Sequence, residues 1–300
     1  MPETVVDIRR AQPWLGTRVE IVASGGPLRA VEAAIEAAFA AIAGVHHALS
    51  AQDDDSELAR VNRAALGAPQ AVSQAFRDVL ACALDVARES GGAFDPALGM
   101  LPAAARAVAA GSPAAPRATW RDVRLHGGAV RFARPLALDF DGIAKGYAVD
   151  RAIAALVAGG VTAACVNAGG DLRVIGPRDE TVHVRTGGAQ SVLLPVATIG
   201  DAALATSAYG GARRSIGGRF RTPLIEPRNR LPVMSTRTVS IVAPTCMLAD
   251  ALTKVVALRG RRAAATLARL GASATILTPA RGTWRCTRIA GAPAATRGAD

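Results

Sequence analysis

Half of the chain's 300 residues are apolar, enough for one large core, and its formal net charge of +11 first invites a nucleic-acid reading. The basic residues are spread between apolar runs, without zinc-finger spacing or an aromatic RNA-binding motif. Nucleic acid is therefore excluded as the expected partner, and attraction of an anionic small molecule accounts for the charge as well. The four cysteines, Cys82, Cys165, Cys246 and Cys286, form no C-x-x-C pair, which argues against disulfides and zinc. No stretch is apolar enough to be an integral membrane segment, and the N-terminus lacks a signal-peptide core. The chain as written reads as cytoplasmic, or as periplasmic if a leader is missing from it.

In chain order, Arg18 to Ala23 reads as a strand after a turn at Leu15-Gly16-Thr17. Leu28 to Leu49 has the apolar spacing and alanine content of a long helix. Asp55 or Ser56 can cap a helix running to Asn62, and Ser73 opens a second strong helix that Gly91-Gly92 closes after Ser90. Pro102 to Pro116 is an alanine/proline connection. Short strands are expected at Val123 to Leu125, Ala129 to Phe132 and Leu136 to Phe140, followed by a helix from Gly146 to Ala158. Further strands are expected at Ala163 to Asn167, Leu172 to Ile175, Val182 to Arg185, Ser191 to Val196, Ala202 to Thr206 and Thr238 to Ala243. Helices at Leu248 to Leu258 and Arg262 to Leu270 precede a last strand at Thr275 to Leu277, and Arg288 to Asp300 reads as a frayed tail. The fold class is α+β: a single domain over residues 14–286, with a large mixed, mostly antiparallel sheet packed by helices. Residues 1–13 and 287–300 are expected to be flexible termini, and no feature sets an oligomeric state.

Of the 35 basic residues all but two, Lys145 and Lys254, are arginine. Lysine is a compact point charge and arginine a planar fork, so lysines kept in an arginine-biased chain point to specific jobs. Lys145 stands in Leu138-Asp139-Phe140-Asp141-Gly142-Ile143-Ala144-Lys145-Gly146-Tyr147-Ala148-Val149-Asp150, which reads as strand, glycine turn and helix. That arrangement either aims backbone N–H groups and an ammonium at a phosphate, or is an ordinary strand–helix turn. Asn167-Ala168-Gly169-Gly170-Asp171 is either a place where a ligand lies against the backbone or a hairpin turn. Asp250 and Lys254 share a helix face, either as an i,i+4 ion pair or with Asp250 and Thr253 supplying oxygens to a hard cation such as Mg²⁺.

Taken together, these segments resemble the ApbE-type flavin transferases (FAD:protein FMN transferases) from about Trp14 to Leu277. The matching segments also include Leu15-Gly16-Thr17, Asp55-Ser56-Glu57-Leu58, Gly92-Ala93-Phe94-Asp95-Pro96 and Ala205-Thr206-Ser207. The resemblance implies Mg²⁺-dependent cleavage of the FAD pyrophosphate. FMN would pass to a Thr or Ser hydroxyl of a target flavoprotein, and AMP would leave. It implies cofactor contacts at Ala93, Phe94, Asp95, Asp139, Gly142, Lys145, Asn167, Gly169, Gly170 and Ile225. Metal ligands are implied at Gly142, Asp250 and Thr253, with Asp250, Lys145 and Lys254 as the catalytic set. The chain departs from the family pattern in several places. Phe140-Asp141-Gly142 replaces Leu-Gly-Gly, Lys254 replaces a metal-binding threonine, and Thr222-Pro223-Leu224-Ile225-Glu226-Pro227 lacks the family's histidine. Leu15 stands for a Met, and Ala51-Gln52 follows Ser50 where an aromatic is usual. The alternatives are an FAD-binding carrier or redox partner, and an FAD pyrophosphatase giving FMN and AMP.

Overall fold

The computed structural model describes residues 7–99, 117–177, 179–186, 192–209, 214–216, 219–221, 224–291 and 296–297. The expected connection at Pro102 to Pro116 lies outside them. The chain opens with a hairpin, β1 (Ile8–Trp14) and β2 (Thr17–Ser24). Two residues with positive φ, Leu15 and Gly16, turn it, the backbone that a tight two-residue hairpin demands. Residues 8–13 are thus an edge strand, where the sequence leads one to expect a flexible terminus; the exposed Arg9 and Arg10 hide the pairing.

Helix α1 (Leu28–Leu49) buries Val31, Ile35, Ala38, Phe39, Ile42, Val45 and Leu49 along one stripe, as its sequence period requires. Helix α2 (Glu57–Ala64) is capped by the Ser56 hydroxyl accepting from Ala59 N at 3.0 Å, and α3 (Gln74–Glu89) by Ser73 accepting from Phe76 N at 3.2 Å. Beside them a small sheet joins β3 (Gln70–Ala71), β4 (Val123–His126) and β5 (Ala129–Phe132). Leu136 to Phe140 is not a strand. Its backbone bonds go elsewhere: Leu138 is held from both sides by the Asn62 amide at 2.8 and 2.9 Å, and Asp139 N donates to Pro96 O.

Helix α4 (Ala144–Ala158) is followed by β6 (Ala163–Ala168), β7 (Asp171–Ile175), β8 (Glu180–Arg185), β9 (Leu193–Ile199) and β10 (Ala203–Ala208). Four short strands come next, β11 (Arg214–Ile216), β12 (Arg219–Arg221), β13 (Ile225–Glu226) and β14 (Leu231–Pro232). After them come β15 (Thr238–Ala243), α5 (Cys246–Arg259), α6 (Ala264–Arg269), β16 (Ser273–Ala280), β17 (Thr283–Ile289) and β18 (Thr296–Arg297). Strand β17 carries Arg288 and Ile289, placed in the expected frayed tail, into the sheet.

Among the described residues the main sheet has eight strands in the order β1-β2-β6-β7-β10-β15-β16-β17. Each of these pairings is antiparallel, so the expected mixed character is not seen in it. All six residues of the central strand β15 are buried, which requires cover on both faces. Val239, Ile241 and Ala243 join the core under the helices; Val242 joins a second core with Leu172, Val174, Val184, Val196, Ile199, Leu204 and Leu277 under the β8–β9 hairpin. The alternation is the two-residue period of a strand. Among the described residues no helix is long and apolar enough to cross a membrane.

Candidate active site

The site lies where α4 and α5 start side by side at the ends of the central strands. Their approach depends on Gly146: a Cβ there would sit 2.3 Å from the carbonyl oxygen of Cys246. Each helix then supplies a carboxylate to the other's N-terminus. Asp150, on α4, accepts from Cys246 N at 3.0 Å and Met247 N at 2.9 Å, while Arg173 donates to the same carboxylate at 2.8 Å. Asp250, on α5 and almost fully buried, faces Gly146 N with Oδ2 at 3.4 Å. Negative charge at a helix N-terminus meets exposed N–H groups and the positive end of the helix dipole, so both contacts are favourable.

Both lysines arrive at this junction. Lys145 forms an ion pair with the buried Asp171, and Lys254 with Asp250. Lys254 Nζ also donates to the main-chain oxygen of Asp250 at 3.2 Å. Desolvation alone would lower the pKa of each lysine; attraction by Asp250, with Asp171 contributing to both, outweighs it and raises them. Burial and the neighbouring Asp250 push the Asp171 carboxyl up to about 6, against the pull of Lys145. Thr253 donates to Asp250 O at 2.7 Å, and its hydroxyl is 2.9 Å from that of Ser207.

Two clefts open onto the junction. One, of about 420 Å³, has apolar walls that include Ala93, Phe94, Tyr209, Leu224 and Ile225, and polar groups at Asp95, Asp139, Asp141, Ser207 and Lys254. The other, of about 460 Å³, is lined by Leu15, His46, Ser50, Gln52, Asp141 and Lys145, among others. Asp141 belongs to both, so they meet at its exposed carboxylate. Partial desolvation by the cleft walls and then repulsion from Asp139 raise its pKa.

Seven of the residues named from the sequence, Ala93, Phe94, Asp95, Asp139, Gly142, Ile225 and Lys254, therefore line the first cleft, and Lys145 lines the second. Asp95 also shapes its own wall, accepting from Ala97 N at 2.8 Å and Trp120 N at 3.0 Å. Asp250 and Thr253 lie buried beneath the floor. Asn167, Gly169 and Gly170 line neither cleft. They form the β6–β7 hairpin, with both glycines at positive φ and Asn167 Oδ1 accepting from Gly170 N at 3.0 Å. Asp171, which ends that hairpin turn and holds Lys145, is a site residue that its motif contains but does not mark out. Ser207 and Tyr209 carried no signal beyond the Ala205-Thr206-Ser207 match. Of the segment lacking the histidine, Thr222 and Pro223 lie outside the described residues.

A family model described as the ApbE family matches residues 15–277. The chain belongs to the ApbE family. It is 32% identical over 282 residues to the FAD:protein FMN transferase of Treponema pallidum (strain Nichols), covering 83% of this chain and 77% of that one. It is 31% identical over 268 residues to the enzyme of the same name from Rhodobacter capsulatus, covering 82% of this chain and 50% of that one. Among solved structures, the flavin transferase ApbE from Vibrio cholerae superposes with a TM-score of 0.75 at 21% identity, over 95% of this chain and 97% of that one. The apo flavinyl transferase ApbE from Pseudomonas stutzeri gives 0.75 at 21% identity, over 96% of each chain. At that identity these two establish the fold.

The ApbE resemblance also implied Mg²⁺ at Gly142, Asp250 and Thr253, and those residues do not fit a divalent cation as they are arranged. Mg²⁺ demands a near-octahedral oxygen shell. Here Asp250 Oδ1 and O both accept from the Lys254 ammonium, and the Thr253 hydroxyl is engaged with Asp250 O and Ser207. Among the described residues no group of three or more His, Cys, Asp or Glu side chains is placed to hold a metal ion.

Proposed function

We propose that this chain is an FAD:protein FMN transferase that cleaves the FAD pyrophosphate, joins FMN to a Thr or Ser hydroxyl of a target flavoprotein, and releases AMP. The observation that carries the reading is the pair of clefts meeting at the lysine junction. Each is of a size that takes a small-molecule group, and together they match a ligand with two ring-bearing halves joined through a pyrophosphate. The names of the Treponema and Rhodobacter relatives support the same substrate. In the reaction the acceptor hydroxyl oxygen attacks the phosphorus of the FMN half, and the bond from that phosphorus to the bridging oxygen breaks, so AMP departs with that oxygen. Phosphoryl transfer depends on positioning and charge neutralisation more than on covalent help from the protein. Lys145 and Lys254 supply positive charge beside the phosphates. Asp141, at the meeting of the clefts, accepts the proton of the attacking hydroxyl, a task that needs a base within hydrogen-bond reach.

A second reading, FAD binding without transfer, draws support from the Lys254–Asp250 pair and from a first cleft lined without histidine among the described residues. One assay separates the two: FAD is incubated with the protein and a peptide carrying a central threonine, with AMP followed by chromatography and the peptide by mass spectrometry. Transfer yields AMP together with a flavinylated peptide. Bound FAD with neither product establishes the binding reading, and AMP with unmodified peptide establishes hydrolysis.

A further inference from the structure

We infer that Lys254 is a built-in counter-cation, and that the junction of the two clefts binds the pyrophosphate of a dinucleotide on Lys254 and Lys145 without a divalent metal ion. The inference rests on the FAD reading above for its ligand and on the geometry of Lys254 for its mechanism. Asp250 is 1% exposed at its side chain, whereas the Lys254 side chain is 23% exposed and lines the cleft. The carboxylate is therefore neutralised from the cleft side, in the direction from which a ligand arrives. An ammonium has three N–H donors. Two are accounted for at Asp250 Oδ1 and Asp250 O, leaving a third for an anion in the cleft.

Room for the lysine is made by Gly142: a Cβ at that position would lie 3.2 Å from Lys254 Cε and 3.4 Å from the Phe94 ring. The glycine that the family resemblance assigned to the metal turn here accommodates the stem of a lysine. Lys254 pairs with the buried Asp250 and presents its ammonium at the cleft wall. With its charge fixed on the chain, the site needs no dissociable ion to neutralise Asp250 or to meet a phosphate oxygen.

The test is FAD titration of the whole protein, read by isothermal calorimetry in EDTA and again in excess MgCl₂. The expected result is a wild-type Kd that differs by less than about twofold between the two, because a charge-assisted contact supplied by the chain does not depend on free metal. Lys254→Met should weaken FAD at least about tenfold in EDTA, the equivalent of one hydrogen bond to a charged group. Lys254→Thr should show the same loss in EDTA and regain affinity with Mg²⁺, since a hydroxyl beside Asp250 offers that ion oxygens. Removing the lysine alone leaves Asp250 buried and uncompensated, so a double variant, Asp250→Asn with Lys254→Met, serves if the single variants do not fold. It too should lose FAD affinity in EDTA.

Inorganic pyrophosphate, titrated in parallel, separates this result from the flavin reading. Pyrophosphate bound in EDTA and weakened by the Lys254 variants supports the inference even if FAD does not bind. A wild-type FAD or pyrophosphate affinity that collapses in EDTA would place the cation at Asp139 and Asp141 instead, and would overturn it. So would variants that bind as well as wild type in EDTA, or no pyrophosphate binding in either condition.

Discussion

Asp150 closes the longest sequence motif, yet the structure gives it a mechanical task. Its carboxylate accepts from Cys246 N, Met247 N and Arg173 Nη1 at 3.0, 2.9 and 2.8 Å, with its side chain 13% exposed. Asp150→Ala therefore removes the acceptor of the first two N–H groups of α5, leaving only the Thr245 hydroxyl as its cap, and strands the Arg173 guanidinium, whose Nε already has no hydrogen-bond partner. Hydrogen bonds to a charged group contribute about 1.5–3 kcal/mol each, but three that share one carboxylate do not add. Breaking a largely buried ion pair from one side costs about 3–5 kcal/mol, and the lost cap falls within that figure. The expected destabilisation is about 3–5 kcal/mol, a large fraction of the roughly 5–15 kcal/mol that keeps a domain folded. Asp150→Asn retains an acceptor oxygen and should cost about half as much. The assay is urea unfolding followed by circular dichroism, with the midpoint shift read at constant slope. Because α5 also carries Asp250 and Lys254, the Ala variant should weaken FAD binding under conditions where it is still folded. A loss of stability below about 1 kcal/mol would refute the capping argument, since no single hydrogen bond to a charged group is expected to contribute so little.

Gly146→Ala drives a Cβ to within 2.3 Å of Cys246 O. It should cost at least about 1–3 kcal/mol by overpacking, seen as a lower urea midpoint, because backbone cannot rotate out of the way. Asp171 has a folded pKa of about 6 against an ordinary 3.8, so the native state holds its proton more tightly than the unfolded chain does. Stability should therefore fall as pH rises from about 4 through about 6, and Asp171→Asn should flatten that slope in unfolding curves taken across the window. Asp141→Asn should lower kcat by about 10²- to 10⁴-fold in the flavinylation assay while leaving the unfolding free energy from urea curves within about 0.5 kcal/mol; an unchanged kcat would remove Asp141 as the base.

Several elements were legible in the sequence because local chemistry decides them. Ser56 and Ser73 are polar caps before apolar helical runs, and they do cap α2 and α3. The stripe of Val31, Ile35, Phe39 and Ile42 follows from spacing alone. Strand β1 was not legible, because an edge strand with Arg9 and Arg10 exposed looks like a solvated tail. Leu136 to Phe140 has strand composition, but whether it pairs is settled by Asn62, 76 residues earlier. At the site, the lysines could be picked out by their rarity and the hairpin glycines by their spacing. That Asp171 holds Lys145 could not, because the 25 residues between them include the rest of α4 and the whole of β6.

The two halves of the site are also tied mechanically. Asp150 holds the start of α5 and Asp250 faces the start of α4, so each helix carries the carboxylate that the other helix requires. The lysines lie on the same two helices and face the clefts. Moving one helix would therefore disturb its own ammonium, the other helix's cap and the compensation of a buried carboxylate together. Such a junction is rigid because no part can relax alone, and rigidity is what a phosphoryl site uses to hold charge in place before the reaction begins. Arginine would bring a wider, planar head beside Gly142 and Phe94 in place of Lys254, and against the buried Asp171 in place of Lys145. This is a physical reason for a chain rich in arginine to retain lysine at these two positions.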